Sequence, residues 1–191
     1  MDKQVLLEKL EEFGVLQIGH FLLSSGLHSD KYLQCAKILQ YPEWAGKLGG
    51  AVGQLFSENQ IDVVVGPAMG GVILAHEVGR SLGCRSIFSE RKEGVMQFSR
   101  GFEIKSGENV LVVEDVVTTG KSASEVLEII PRGANILGIG AIIDRSFGEV
   151  DFPVPFKALL PLEVEVYSPQ SCPLCEKGIP FVKPGSRESR N

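Results

Sequence analysis

The sequence has no hydrophobic run that approaches the roughly 20 residues needed to cross a bilayer. It also has no cluster of lysines and arginines, and its formal net charge is -5, so a nucleic-acid partner is disfavoured. The first residues, MDKQVLLEKLEEFG, form an amphipathic pattern without the basic start and apolar core of a signal peptide. These absences predict a cytoplasmic protein with no membrane partner.

Cysteine is scarce, with 4 among 191 residues, and this excludes a disulfide framework. Cys172 and Cys175 have the spacing of half a zinc knuckle, but a four-ligand site needs a second pair. The other cysteines and the histidines stand singly, at Cys35, Cys84, His20, His28 and His76. We therefore expect the C-terminal segment to be a structural tail rather than a metal site. The alternative is a site to which two subunits contribute one pair each.

The length and the 43% hydrophobic content predict a single domain with a buried core. Four short apolar runs, IDVVVG, SIFSE, NVLVVED and ILGIGAIID, are typical of strands buried on both faces of a parallel sheet. Helical patterns over Val72–Leu82 and Ser122–Ile130 separate some of these runs, which predicts an open α/β sheet. Ligands of such sheets bind beyond the carboxyl ends of the strands.

The remaining segments predict smaller elements around this sheet. Residues 2–13 and 42–58 have helical spacing, and FLLSSGLHSDKYLQC indicates two short strands around a Ser-Ser-Gly turn. Residues 90–105 are charged and predict a hairpin or a mobile loop. The last 20 residues, rich in Pro, Gly and Ser, are expected to wrap the surface.

The stretch VLVVEDVVTTGKSASEV combines an anion-binding turn with two acids. A helix that begins near Ser122 directs its free N–H groups and the positive end of its dipole toward the preceding Thr-Thr-Gly turn. The backbone and hydroxyl donors of such a turn suit a monophosphate. The plainer alternative is a capped helix start after a strand.

A nucleotide-binding P-loop is excluded because Asp115 stands where the first glycine of G-x-x-x-x-G-K-[ST] belongs. A ribose 5-phosphate suits both features: its phosphate would lie in the turn, and its 2- and 3-hydroxyls could donate to Glu114 and Asp115. Carboxylates can also hold the waters of a Mg²⁺ ion.

Over thirteen contiguous residues, 110–122, this stretch resembles the phosphoribosyl-diphosphate (PRPP) motif of the type I phosphoribosyltransferases. The resemblance implies an α/β fold with an open, mostly parallel twisted sheet flanked by helices and a small N-terminal hood region. It implies Mg²⁺ as the cofactor, held through PRPP and waters near Asp115 without a certain direct protein ligand. The residues it implies for PRPP binding are Glu114, Asp115, Val116, Val117, Thr118, Thr119, Gly120, Lys121 and Ser122.

A second turn, Pro67–Gly71, has small residues that would let backbone N–H groups approach another anion. It is similar in position to the diphosphate loop of the orotate enzymes, which implies PRPP contacts from Ala68, Met69, Gly70 and Gly71. Many relatives have a Tyr-Lys pair where this chain has Met69 and Gly70, so a charge contact is missing or supplied elsewhere. The alternative is a tight turn into a helix.

Two segments resemble the base-binding parts of orotate phosphoribosyltransferases. FLLSSGLHSDKY matches the F-x-L-x-S-G-x-x-S pattern, which implies orotate contacts from Ser25 and Gly26, whereas Ser24 stands where many members have a lysine. His28 lies in the same segment and is either a surface residue or a substrate contact.

In IIDRS, the resemblance implies that Arg145 pairs with the orotate carboxylate, a bidentate role that suits a guanidinium. Thr118 would also position the base. The alternative for Arg145 is a local ion pair with Asp144.

SERKEGVMQFSRGF, residues 89–102, resembles the hood loop that closes over PRPP, often from the neighbouring subunit. Arg91 and Lys92 match its start and, with Asp115, are the implied catalytic residues. Val95 and Gln97 replace a lysine and a histidine of the better-known branch, and Arg100 is a candidate substitute for that charge. The alternative is a solvated charged hairpin.

Together, the resemblances imply transfer of a phosphoribosyl group from PRPP to orotate, with diphosphate as the other product, in a homodimer with shared active sites. Two alternatives stay open: a transferase for uracil or xanthine, and a non-catalytic PRPP-sensing regulator. The expected parts are a hood and base-binding region over 1–45, an α/β core over 46–165 and a tail over 166–191.

Overall fold

The computed structural model describes residues 1–23 and 25–184. Val63–Val65 lie in the middle of its central sheet. Ser24 and residues 185–191, including the end of the predicted tail, lie outside the described residues. The strands are β1 Leu16–Leu22, β2 His28–Leu33, β3 Val63–Pro67, β4 Arg85–Lys92, β5 Val95–Phe98, β6 Asn109–Val117, β7 Asn135–Asp144, β8 Phe156–Pro161 and β9 Val166–Tyr167. The α-helices are α1 Lys3–Glu12, α2 Ala36–Leu39, α3 Pro42–Gln54, α4 Gly70–Leu82, α5 Lys121–Ile129 and α6 Pro173–Glu176.

The central sheet has the order β5-β4-β3-β6-β7-β8, and only the edge strand β5 is antiparallel to its neighbour. This confirms the open, mostly parallel sheet predicted from the sequence. β8 was not predicted, because its segment FKALLP is short, contains a lysine and lies at the sheet edge. Residues 90–105 do contain a hairpin, which β4 and β5 form through a two-residue turn.

Side chains on alternate positions of β3 and β6 enter two different apolar layers. Val64 and Leu111 face a layer that includes Leu74 of α4, whereas Val63 and Val110 face a layer that includes Val126 of α5. All six are fully buried, since helices cover both faces of the sheet. Burial on both faces explains why these strands are continuous apolar runs.

The hood region forms its own three-stranded antiparallel sheet, in the order β1-β2-β9. Its base joins the main core through Val15, Leu33 and Cys35. The C-terminal segment packs on β1, where Val182 donates to the carbonyl of His20 at 2.8 Å and accepts from the N–H of Leu22 at 2.9 Å. The tail therefore lies against the hood, and the expected surface course holds for its mostly exposed residues but not for Cys172, which is buried.

Within residues 1–23 and 25–184, no helix is long and apolar enough to span a bilayer.

Replacing Leu74 by alanine should lower the free energy of unfolding by about 2–5 kcal/mol, because the residue is fully buried between α4 and the sheet. Its neighbour Ile73 is 44% exposed, so Ile73→Ala should cost about 1 kcal/mol or less. Urea unfolding of both variants measures the difference. Equal losses would contradict the packing of α4 described above.

Candidate active site

The predicted phosphate turn lies between the end of β6 and the first residue of α5. Gly120, which precedes α5, has φ +70°, and a Cβ there would lie 2.6 Å from Cγ1 of Val150. Only glycine therefore fits this position, for conformational and steric reasons. The turn encloses a pocket of about 150 Å³. The pocket is lined by Glu114, Val116, Val117, Thr118, Thr119, Gly120, Lys121, Ser122 and Ala123.

The two acids at the end of β6 are held in a low-dielectric environment. Glu114 is 8% exposed, and burial, reinforced by the negative charge of Asp115, raises its pKa to about 9. Burial also raises the pKa of Asp115, whose Oδ1 accepts from the N–H of Val116 at 3.0 Å. Without a ligand the pair retains a proton at neutral pH, because a second buried negative charge is costly. A cation or ligand hydroxyls would favour the ionised pair.

The second predicted turn packs directly against this acid pair. A Cβ added at Gly70 would lie 2.5 Å from Oδ1 of Asp115, and one at Gly71 would lie 2.8 Å from Cδ of Pro67. The peptide bond between Ala68 and Met69 is cis, and the side chain of Met69 is 85% exposed. The structure thus brings the two sequence motifs together, with the N-terminus of α4 beside the carboxylates.

Arg91 reaches from the end of β4 to the first turns of α5. Its Nε donates to Oε2 of Glu125 at 2.9 Å, and a terminal nitrogen contacts the same oxygen and Oγ of Ser122, the latter at 3.4 Å. The guanidinium therefore lies next to the phosphate turn of its own chain. Lys92 is exposed at the hairpin turn. The sequence did not indicate Glu125 as a partner of Arg91, because only the fold brings the two residues together.

Arg100, the candidate substitute for a missing charge of the hood loop, pairs with Glu90 at 3.2 Å and lies over the ring of Phe88. Its guanidinium is mostly exposed. It therefore remains only a candidate for contact with a substrate.

Arg145 follows β7 at the same edge of the sheet. Its backbone N–H donates to the carbonyl of Val117 at 2.8 Å, and within the described residues its buried Nε has no hydrogen-bond partner. Burial lowers the pKa of Arg145, and Tyr32 of the hood lies close enough to oppose that shift. Asp144 instead accepts from the N–H and hydroxyl of Ser146 at 2.8 and 2.6 Å, which disfavours a local ion pair with Arg145.

Ser25 and Gly26 lie at the exposed tip of the β1–β2 hairpin. The tip is closed by a bond of 2.8 Å from the N–H of Leu23 to the carbonyl of Leu27, and Gly26 has φ +83°. Their assignment to orotate stays a prediction. The sequence did not indicate Tyr32, on the strand that follows this tip, as a site residue. Only its effect on the pKa of Arg145 makes it a candidate.

The unliganded protein should lose stability as pH rises above about 4.5, through Glu114. Its folded-state pKa is raised, so the folded chain keeps a proton that the unfolded chain has released. Between pH 4.5 and about 9, the free energy of unfolding should fall by up to about 1.4 kcal/mol per pH unit. Glu114→Gln removes this term, so its melting temperature relative to wild type should increase from pH 6 to pH 8.

The matched control is Glu128→Gln, which changes an exposed carboxylate of α5. Its melting temperature relative to wild type should be the same at both pH values. If Glu114→Gln behaves in the same way as this control, Glu114 is not a buried proton carrier.

Comparison with known proteins places the chain in a family. Residues 35–152 match the phosphoribosyl transferase domain family. An orotate phosphoribosyltransferase of a Thermoanaerobacter species is 55% identical over 189 residues, which are 98% of this chain and 100% of that protein. One from Thermotoga maritima is 54% identical over 181 residues, 94% of this chain and 97% of that protein.

A solved structure of orotate phosphoribosyltransferase from Aeropyrum pernix shares the fold, with a TM-score of 0.67 and 24% identity. The alignment covers 82% of this chain and 93% of that one. The chain matches the domain family and is more than half identical to orotate phosphoribosyltransferases over nearly its whole length. This protein therefore belongs to the orotate phosphoribosyltransferase family.

Proposed function

We propose that the chain transfers the 5-phosphoribosyl group from PRPP to orotate, giving orotidine 5-monophosphate and diphosphate, a step of pyrimidine biosynthesis. The observation that carries this proposal is the pair of buried Glu114 and half-buried Asp115, which lies between the proposed phosphate turn and a small-residue turn at one edge of the sheet. A ribose with a phosphate on each side needs this order of anion-binding and hydroxyl-accepting groups.

The 5-phosphate binds at the turn over residues 118–122, where the N-terminus of α5 supplies free N–H groups. The sugar hydroxyls donate to Glu114 and Asp115. Each such bond stabilises the ionised carboxylates, so PRPP binding drives the retained proton out of the pair. This proton release is a consequence of the burial of the acids.

The diphosphate lies at the turn over residues 67–71, beside the N-terminus of α4. As the bond to C1 of the ribose breaks, negative charge grows on the diphosphate and positive charge on the sugar. Arg91 and Lys92 stabilise the leaving diphosphate, and the Asp115 carboxylate stabilises the sugar cation. Arg91 exchanges some or all of its contact with Glu125 for the ligand.

Mg²⁺ is the proposed cofactor, and the donor set fits it. Two adjacent acids with raised pKa values, next to the proposed phosphate site, form an environment that a hard cation bound to oxygen ligands stabilises. PRPP oxygens and waters near Asp115 would hold the ion, which would neutralise charge on the diphosphate.

Orotate binds beside Arg145, whose guanidinium is partly desolvated and whose Nε has no hydrogen-bond partner among the described residues. A carboxylate provides the planar, anionic acceptor that this group lacks. Thr118, Ser25 and Gly26 complete the proposed base site. Uracil has no such carboxylate and would leave the charge unpaired.

We further propose a homodimer in the cytoplasm with shared active sites, in which the hood loop closes over PRPP. The loop is a twisted hairpin with a two-residue turn at Glu93 and Gly94, both with positive φ, as tight hairpins require. The division into a hood over 1–45, a core over 46–165 and a tail over 166–191 is part of the same proposal.

The ultraviolet absorbance of orotate, followed with PRPP and Mg²⁺, tests the function. Wild type should show a PRPP-dependent change with orotate, and no product with uracil or xanthine. Arg145→Gln should raise the KM for orotate at least tenfold, a loss of about 1.4 kcal/mol or more, as expected when a charged hydrogen-bond partner is removed. No reaction with orotate, but PRPP binding by calorimetry, would favour a regulator, and turnover of another base would reassign the substrate.

Arg91→Ala should lower kcat by at least tenfold, because Arg91 stabilises the negative charge on the leaving diphosphate. The melting temperature should change little, because the side chain is 39% exposed. Arg132→Ala, at an exposed position in the α5–β7 connection, is the matched control and should retain wild-type turnover. An unchanged rate in Arg91→Ala would remove this residue from the mechanism.

A further inference from the structure

Four side chains from the hood and the tail converge on one point away from the proposed PRPP site. The ring nitrogens of His20 and His28 and the sulfurs of Cys172 and Cys175 all lie within 4.8 Å of one another. His20 and His28 stand singly in the sequence, and only the fold brings them to the two cysteines. The second pair that the Cys-Pro-Leu-Cys segment lacks in sequence comes from the hood of the same chain, so no second subunit is needed.

The nitrogen–sulfur separations are close to those of a tetrahedral metal site, whereas the two ring nitrogens lie closer together than in such a site. With Zn–N near 2.0–2.1 Å and Zn–S near 2.3 Å, tetrahedral angles place N and S about 3.5 Å apart. The distance from Nε2 of His20 is 3.5 Å to the sulfur of Cys172 and 3.8 Å to that of Cys175. Nδ1 of His28 lies 3.3 Å from the sulfur of Cys175. The ring nitrogens themselves lie 2.8 Å apart.

The surroundings orient His20 as a ligand. Its Nδ1 lies 2.7 Å from the carbonyl of Ile179, so it carries the proton and donates to that carbonyl. Nε2 is therefore the ring nitrogen that keeps its lone pair, and it faces Nδ1 of His28 as well as the two sulfurs. A backbone carbonyl that holds the far nitrogen of a ligating histidine is a regular feature of zinc sites.

The cluster is enclosed but has one open side. His20, His28 and Cys172 are 3%, 4% and 1% exposed, and the ring of Phe181 packs against both imidazoles. Cys175 lies at the solvent-facing edge, which provides an entry path for an ion. All four cysteines of the chain are free thiols. Two thiols and two imidazoles in one mostly buried cluster are the ligand types that select zinc among divalent cations.

We propose that His20, His28, Cys172 and Cys175 bind one Zn²⁺ ion, which fastens the C-terminal tail to the hood sheet. All four ligand positions are filled by protein, so the site is structural and leaves no open position for substrate. His20 and His28 stand on β1 and β2, whereas Cys172 directly precedes α6 and Cys175 lies within it. The ion therefore cross-links segments about 150 residues apart in the chain.

The zinc content of the full-length protein, purified with zinc and freed of excess metal, tests the proposal. Mass spectrometry of the metal should give about one zinc per chain in wild type. Cys175→Ser and His28→Asn should lower this at least fivefold. The matched controls are Cys84→Ser and His76→Asn, which change a free cysteine and an exposed histidine outside the cluster and should retain the wild-type content.

Two measurements keep the test independent of variant folding. Co²⁺ bound to wild type should give intense visible bands and a sulfur-to-cobalt charge-transfer band, which tetrahedral thiolate ligands produce. Without PRPP, removal of zinc by a chelator should lower the melting temperature of wild type and leave that of Cys175→Ser unchanged. Wild type that takes up neither zinc nor cobalt, or Cys175→Ser with full zinc content, would show that the cluster is only a hydrogen-bonded group of thiols and imidazoles.

Discussion

The approach of Gly70 to the carboxylate of Asp115 is the contact on which the proposed active site depends. A Cβ at Gly70 would lie 2.5 Å from Oδ1, so the first turn of α4 can meet the end of β6 only through glycine. This contact sets the spacing between the two anion-binding turns. Burial raises the pKa of both acids. The glycine contact thus brings the proposed diphosphate turn next to the acids of the proposed sugar site.

The site contains charges that the unliganded protein satisfies only in part. Glu114 and Asp115 retain a proton, Nε of Arg145 has no hydrogen-bond partner among the described residues, and Arg91 is paired with Glu125 beside the phosphate turn. The first two arrangements cost free energy that a ligand of the right charge recovers, and Arg91 can exchange its contact with Glu125 for such a ligand. PRPP and orotate together supply the hydroxyls, the phosphates and the carboxylate that these groups lack.

The hood is tied to the rest of the molecule at both ends. Tyr32 lies close enough to Arg145 to influence its pKa, and Phe21 forms a bridge with Val182 of the tail. A zinc ion at the His–Cys cluster would fix the tail side of this assembly without contact to the substrates. Since the hood presents the proposed base-binding turn, a rigid hood would favour a defined position for orotate.

The sequence by itself determined the parallel sheet and the segment proposed to bind PRPP, because buried strands are continuous apolar runs and the acids and the Thr-Thr-Gly-Lys-Ser turn are contiguous. It did not reveal the edge strand β8, whose short segment carries a lysine and weak periodicity. The partners Glu125 and Tyr32 and the His–Cys cluster were decided by tertiary structure alone. A register shift after Ile18 leaves His20 and Phe21 both buried, and no local spacing predicts that this histidine meets cysteines about 150 residues away.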